Sequence, residues 1–173
     1  HEMLDNNMHP MKFSKKSRAG ETYRFSIAGS SITSAHHDDP LNEAERMTIF
    51  AKLEVRERLI GFHQKAWDDI WKSDITIDGD PQTQQDIHSM LYHLYSFVRA
   101  GTSYSPSPMG LSGLGYNGHV FWDTELWMFP AILVLHPEMA RSLVEYRFQR
   151  FDEAKHNAFA HGYKGAMYPW ESS

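Results

Sequence analysis

No cysteine occurs among the 173 residues. That excludes disulfides, thiolate zinc sites and cysteine nucleophiles. It says little about compartment, because many exported proteins also lack the residue. Cations are in deficit too: 17 Lys and Arg stand against 22 Asp and Glu, a formal charge of −5. Neutralising a phosphate backbone takes a surplus of Lys and Arg on one face, so no nucleic-acid partner is expected. No stretch reaches the roughly 18 consecutive apolar residues of a membrane-spanning helix, so no membrane partner is expected either. His1-Glu2-Met3 lacks the basic-then-apolar order of a signal peptide. Any export signal would lie upstream, which leaves the compartment open. What is present, 41% hydrophobic and 23% charged residues, is the balance of an ordinary soluble globular protein of about one domain. The chain starts without an initiator Met and stops at Trp170-Glu171-Ser172-Ser173 with no tail-like composition, so a segment of a longer protein is expected.

Residues 1–36 are polar and turn-rich, and between Gly20 and Gly29 the apolar Tyr23, Phe25 and Ile27 alternate with polar neighbours. That alternation predicts a half-buried strand, which needs a partner to cover its apolar face. Asp38-Asp39-Pro40 then signals a helix start, with Asp39 as cap and Pro40 at the first helical position. Ile49, Leu53, Ile60, Trp67 and Trp71 recur at helical spacing and predict one amphipathic helix over about 40–72, with Gly61 as its weak point. Asp80-Pro81 repeats the signal ahead of Ile87, Leu91, Leu94 and Val98, and Gly101 closes that helix. Residues 102–118, rich in Ser, Pro and Gly, form a loop longer than usual, and its aromatics favour a functional one. The apolar run 121–135 predicts a buried helix kinked at Pro130, whose Trp127, Met128 and Phe129 serve packing. A last helix runs from Pro137 to about Ala160, closed by Gly162. The reading is mostly α.

Gly113-Leu114-Gly115-Tyr116-Asn117-Gly118 has the spacing of a dinucleotide-binding loop, but that loop must follow a strand, and Tyr104-Ser105-Pro106-Ser107-Pro108 precedes this one. A flexible or tightly turned loop is the better reading. His36-His37-Asp38-Asp39 looks like metal-ligand chemistry, yet adjacent residues rarely converge on one ion and Asp39 is already used as a cap. His88 with His93, and His156 with His161, stand five apart and miss the spacings that share a helix face. Neither a metal nor a cofactor is expected.

Trp122-Asp123 is the informative couplet. An indole packs on the apolar face of a sugar ring, while a carboxylate accepts neighbouring hydroxyls through charge-assisted bonds. The plainer alternative makes Asp123 a helix cap and Trp122 core. Asp123 and Glu125, two apart, cannot point the same way on a helix and are not a catalytic pair by themselves. Trp170-Glu171 repeats the couplet after another Gly-containing loop, one helical hairpin later, which raises a carbohydrate site above the plainer reading.

Gly115-Tyr116-Asn117-Gly118-His119-Val120-Phe121-Trp122-Asp123-Thr124-Glu125 and Gly162-Tyr163-Lys164-Gly165-Ala166-Met167-Tyr168-Pro169-Trp170-Glu171-Ser172 closely resemble glycoside hydrolase family 65. That family includes inverting disaccharide phosphorylases, acid trehalases and glucosidases. Leu126-Trp127-Met128-Phe129-Pro130, His136-Pro137-Glu138-Met139-Ala140-Arg141 and Glu145-Tyr146-Arg147 look most like its branch of kojibiose hydrolases and the glucosidase of collagen glucosylgalactosyl-hydroxylysine. The resemblance is specific from about residue 81 onward and looser before it. It implies the end of a β-sandwich domain over 1–36, a helical linker over 37–78, and the opening helices of an (α/α)6 barrel over 79–173.

It further implies that the full-length protein releases glucose by inversion from an α-linked glucosyl disaccharide, with a phosphorylase or a noncatalytic helical scaffold as alternatives. Trp122, Asp123, Trp170 and Glu171 would line the pocket for the nonreducing glucose, with His119 and Tyr116 as neighbours of weaker claim. The family's general acid and base would lie beyond Ser173, so this segment alone is expected to be inactive. The implied partners are a small carbohydrate and the rest of the same polypeptide. An export signal on the full gene product would favour a periplasmic or secreted location.

Overall fold

Two helices begin where a carboxylate can satisfy backbone N–H groups that have no partner within the helix. In the computed structural model, which describes residues 12–113 and 115–173, Asp39 accepts from the Asn42 N–H at 3.1 Å at the start of α1 (Pro40–Leu53). Asp80 accepts from the N–H groups of Gln82 and Thr83, each at 3.1 Å, at the start of α3 (Pro81–Phe97). Both prolines stand in the first turn, where a missing N–H costs nothing. His1-Glu2-Met3 and Leu114 lie outside the described residues.

The Thr83 hydroxyl donates to Asp80 at 2.6 Å, and this bond, followed by the Thr83 N–H, holds the Asp80 carboxyl below its ordinary value. A carboxyl depressed on folding adds stability above its unfolded value, and that stability is lost as pH falls through the folded one. Asp80→Ala is therefore expected to lower the melting temperature at neutral pH, with a smaller difference from the parent below about pH 4. Melts across that range check this, and an equal difference at both ends would contradict it.

The chain divides into two units, His1–Gly61 and Phe62–Ser173. In the first, the segment over residues 22–27 is not a strand: it pairs with nothing among the described residues, and Phe25 and Ile27 are 60% and 79% exposed. Alternation alone cannot make a strand, because its backbone groups and its apolar face both require a neighbour. Ser30 instead ties the following turn to α1, its hydroxyl donating to the Ala44 carbonyl at 2.6 Å.

The expected single helix over 40–72 is two, α1 and α2 (Arg56–Ile70). The break falls at Glu54, whose extended backbone (ψ 151°) ends α1, and not at Gly61. The Val55 carbonyl then accepts from Arg58 and Leu59 to start α2. Gly61 stays helical, because one glycine inside a helix costs only about 1 kcal/mol.

In the second unit, Trp67 of α2 stacks on Tyr92 of α3 with centroids 4.9 Å apart, and Trp71, just past α2, meets Tyr95 edge to face at 5.4 Å. Arg99 closes α3 by donating to the carbonyls of Tyr95, Ser96 and Val98, as a cation at a helix C-terminus should. The run 121–135 differs from the sequence expectation. Val120–Phe121 is a short strand, β1, followed by one widened turn over Thr124–Met128 in which the Phe129 N–H reaches back to Thr124. Only then does α4 (Phe129–Leu135) begin. The backbone stays helical from Asp123 through that widened turn into α4, so Pro130 lies within one longer helix, directly after its irregular turn. Nor is the run buried all round, since Trp127 is 74% and Val134 81% exposed.

Helix α5 (Pro137–Gln149) packs against α4 through a core of Val98, Ile132, Met139, Ala140 and Leu143. The expected helix to Ala160 is interrupted at Arg150, and α6 (Phe151–Ala160) completes it. Gly162, at φ +78°, closes α6 as expected: its N–H bonds Phe159, while the Tyr163 N–H bonds Ala158. The chain then returns along α6, with Met167 bonded to Ala154 and Asn157, and ends in β2 (Glu171–Ser172).

Candidate sugar-binding site

β1 and β2 pair antiparallel with Val120 opposite Ser172 and Phe121 opposite Glu171. This pairing brings both Trp-acid couplets to one place, although Asp123 and Glu171 stand 48 positions apart in the sequence. The two indoles meet edge to face, with Trp122 and Trp170 centroids 5.3 Å apart at 75°, and Phe121 lies 5.9 Å from Trp170. Both indoles stay accessible, at 42% and 58% exposure, so the plainer reading of Trp122 as core does not hold among the described residues.

Asp123 has helical backbone angles and makes no capping bond, so it is not the cap that the plainer reading made it. Glu171 has His119 Nδ1 at 3.8 Å from its Oε2, beyond hydrogen-bonding distance. Tyr116 packs on Phe121 at 5.3 Å. Trp122 thus meets Trp170, His119 faces Glu171 and Tyr116 lies on Phe121, while Asp123 follows β1 by two residues.

Two local devices bring Trp122 and Asp123 there. The turn Gly115–Gly118 holds Tyr116, Asn117 and Gly118 in the left-handed region, at φ +59°, +53° and +74°. Asn and Gly tolerate that region, whereas for Tyr it is an outlier of the kind that concentrates at functional sites. β1 follows this turn and none of the described strands precedes it, which is the wrong order for a dinucleotide loop. On the other side Thr124 is fully buried, and its hydroxyl donates to the Pro106 carbonyl at 2.9 Å. That bond fixes the residue directly after Asp123 to the long loop.

Sequence reasoning set Glu125 aside and gave Arg147 no role of its own. Arg147 donates from Nε and Nη2 to the two oxygens of Glu125 at 2.8 and 2.9 Å, a bidentate pair between the turn after Asp123 and α5. Nothing local in the sequence connects residues 22 positions apart, so only the packing of α5 could reveal it. Beside this pair opens a hollow of about 550 Å³, lined by Trp122, Leu126, Met167 and Tyr168 among others. Of the six predicted residues, Trp122 alone borders it.

The described structure is thus a mostly helical scaffold on which a short strand pair sets two accessible indoles edge to face. Residues 88–173 match the Glycosyl hydrolase family 65 central catalytic domain, and the chain belongs to glycoside hydrolase family 65. It is 72% identical over 173 residues to the kojibiose hydrolase of Mucilaginibacter mallensis, covering 100% of this chain and 26% of that protein. With the kojibiose hydrolase of Flavobacterium johnsoniae the identity is 62% over 173 residues, 100% of this chain and 25% of that protein. The chain therefore spans about a quarter of the length of these curated relatives. A solved structure assigned as a kojibiose phosphorylase from human microbiome superposes with a TM-score of 0.69 at 27% identity, over 78% of this chain and 18% of that one.

Proposed function

We propose that the full-length protein is an inverting glycoside hydrolase that releases glucose from an α-linked glucosyl disaccharide, kojibiose-like in its linkage. The observation that carries this reading is the pairing of β1 with β2, which sets Trp122-Asp123 beside Trp170-Glu171, with Asp123 making no capping bond and Glu171 facing His119. In this reading Asp123 and Glu171 accept hydroxyls of the nonreducing glucose and the two indoles cover its apolar faces. His119 and Tyr116 border the pocket. Residues 79–173 supply the opening helices of an (α/α)6 barrel, residues 37–78 a helical linker, and residues 1–36 the end of a β-sandwich.

A carboxyl that accepts several hydroxyls is held ionised, which suits binding better than proton donation. The acid that protonates the glycosidic oxygen, and the base that activates water on the opposite ring face, would lie on later helices beyond Ser173, as the family resemblance implies. Such a pair stands about 6.5–9.5 Å apart, leaving room for the water. The likeness to a phosphorylase favours one second reading, in which phosphate takes the place of that water.

Incubating the full-length protein with kojibiose, with and without phosphate, separates the two. Hydrolysis is expected in both conditions, with β-glucose as the first anomer seen by NMR, because inversion converts an α linkage into a β product. Strict phosphate dependence with glucose 1-phosphate formation would end the hydrolase reading, and α-glucose as first product would end inversion.

A further inference from the structure

A two-residue ladder is too short to hold itself together, so something else must fix β1 against β2. The Arg147 side chain, 11% exposed, lies beneath that ladder. Besides its two bonds to Glu125, it donates from Nη1 to the Ser172 hydroxyl at 3.2 Å and from Nη2 to the Phe121 carbonyl at 3.5 Å. Phe121 directly precedes Trp122, Ser172 directly follows Glu171, and Glu125 lies two residues beyond Asp123. One guanidinium therefore touches the residue before Trp122, the residue after Glu171 and the second residue beyond Asp123. Its own place is fixed in turn: the Tyr146 hydroxyl lies 2.8 Å from Ser172 Oγ, the Tyr168 hydroxyl donates to the Arg147 carbonyl at 2.9 Å, and the Tyr168 ring lies 5.7 Å from the guanidinium carbon.

We propose that Arg147 is a positioning residue for the sugar site, its planar fork setting the spacing between Trp122-Asp123 and Trp170-Glu171. This rests on the sugar-binding reading given above. The fork matters because a guanidinium presents five N–H groups in fixed directions, whereas a lysine ammonium in the same place is a single point of charge that cannot reach Glu125 and both strands together. The same contacts explain why Glu125, though close to Asp123, is not free to act on substrate: both its oxygens are engaged by Arg147.

The test compares wild type, Arg147→Lys, Glu125→Gln and Ser172→Ala of the full-length protein, measuring the glucose inhibition constant and the KM for kojibiose well below each variant's melting midpoint. Misplacing a binding group by about 1 Å can cost about 100-fold, so Arg147→Lys is expected to raise both constants at least tenfold. Ser172→Ala removes one neutral hydroxyl and is expected to raise them about threefold. It carries the test should the lysine variant not fold. Glu125→Gln should fall between the two. A lowered midpoint with both constants within twofold of wild type, in Arg147→Lys or, failing its folding, in Ser172→Ala, would reduce Arg147 to a support of the fold and overturn the proposal. A wild-type protein that neither cleaves kojibiose nor binds glucose would instead overturn the sugar reading, and this inference with it.

Discussion

Replacing Asp123 by Asn in the full-length protein is expected to cut kcat/KM for kojibiose by about 10- to 150-fold, the equivalent of the roughly 1.5–3 kcal/mol that a hydrogen bond to a charged group contributes. The side chain keeps its shape and one acceptor oxygen, so what is lost is the charge that strengthens each bond to a sugar hydroxyl. Stability should not move, because Asp123 caps nothing. That combination separates a binding carboxylate from a structural one: a folded Asp123→Asn protein with unchanged glucose affinity would favour a noncatalytic helical scaffold whose indoles merely pack. Steady-state kinetics with a thermal melt of the same preparation decide between them.

The largest expected effect on stability comes from Leu143→Ala. Leu143 is 1% exposed on α5 and packs with Val98, Ile132, Met139 and Ala140. Removing its buried methyl groups loses their transfer free energy and leaves a cavity that close-packed neighbours fill only in part, a loss of about 2–5 kcal/mol. The shift of the urea midpoint of this helical unit measures it. A loss below about 1 kcal/mol would mean that the site collapses around the smaller residue. Since α5 also carries Arg147, this packing and the geometry of the sugar site depend on the same helix.

Helix starts were readable because their cause is local. At Asp39-Pro40 and Asp80-Pro81 a carboxylate, a free N–H and a ring-fixed φ lie within three residues, and the structure places caps at both. The stop at Gly162 is legible for the same reason, since a positive φ is a property of one residue. Periodicity was less reliable. The apolar spacing of 40–72 runs through Glu54, where the backbone turns extended, and the alternation of 22–27 found no partner strand. In the run 121–135, hydrophobicity gave no warning that β1 and a widened turn come before α4.

By itself the sequence determined the helical character of this protein, its caps and stops, and the two Trp-acid couplets whose chemistry suits a sugar, because each depends on residue type and short-range spacing. Tertiary structure alone decided that those couplets meet, since Phe121 and Glu171 become neighbours only after α5 and α6 have turned the chain back on itself. It also decided that of three nearby carboxylates Glu125 is bound by an arginine 22 residues away, while Asp123 caps nothing and Glu171 faces His119 at 3.8 Å. Contacts between distant positions follow from how helices pack, and no local pattern encodes them.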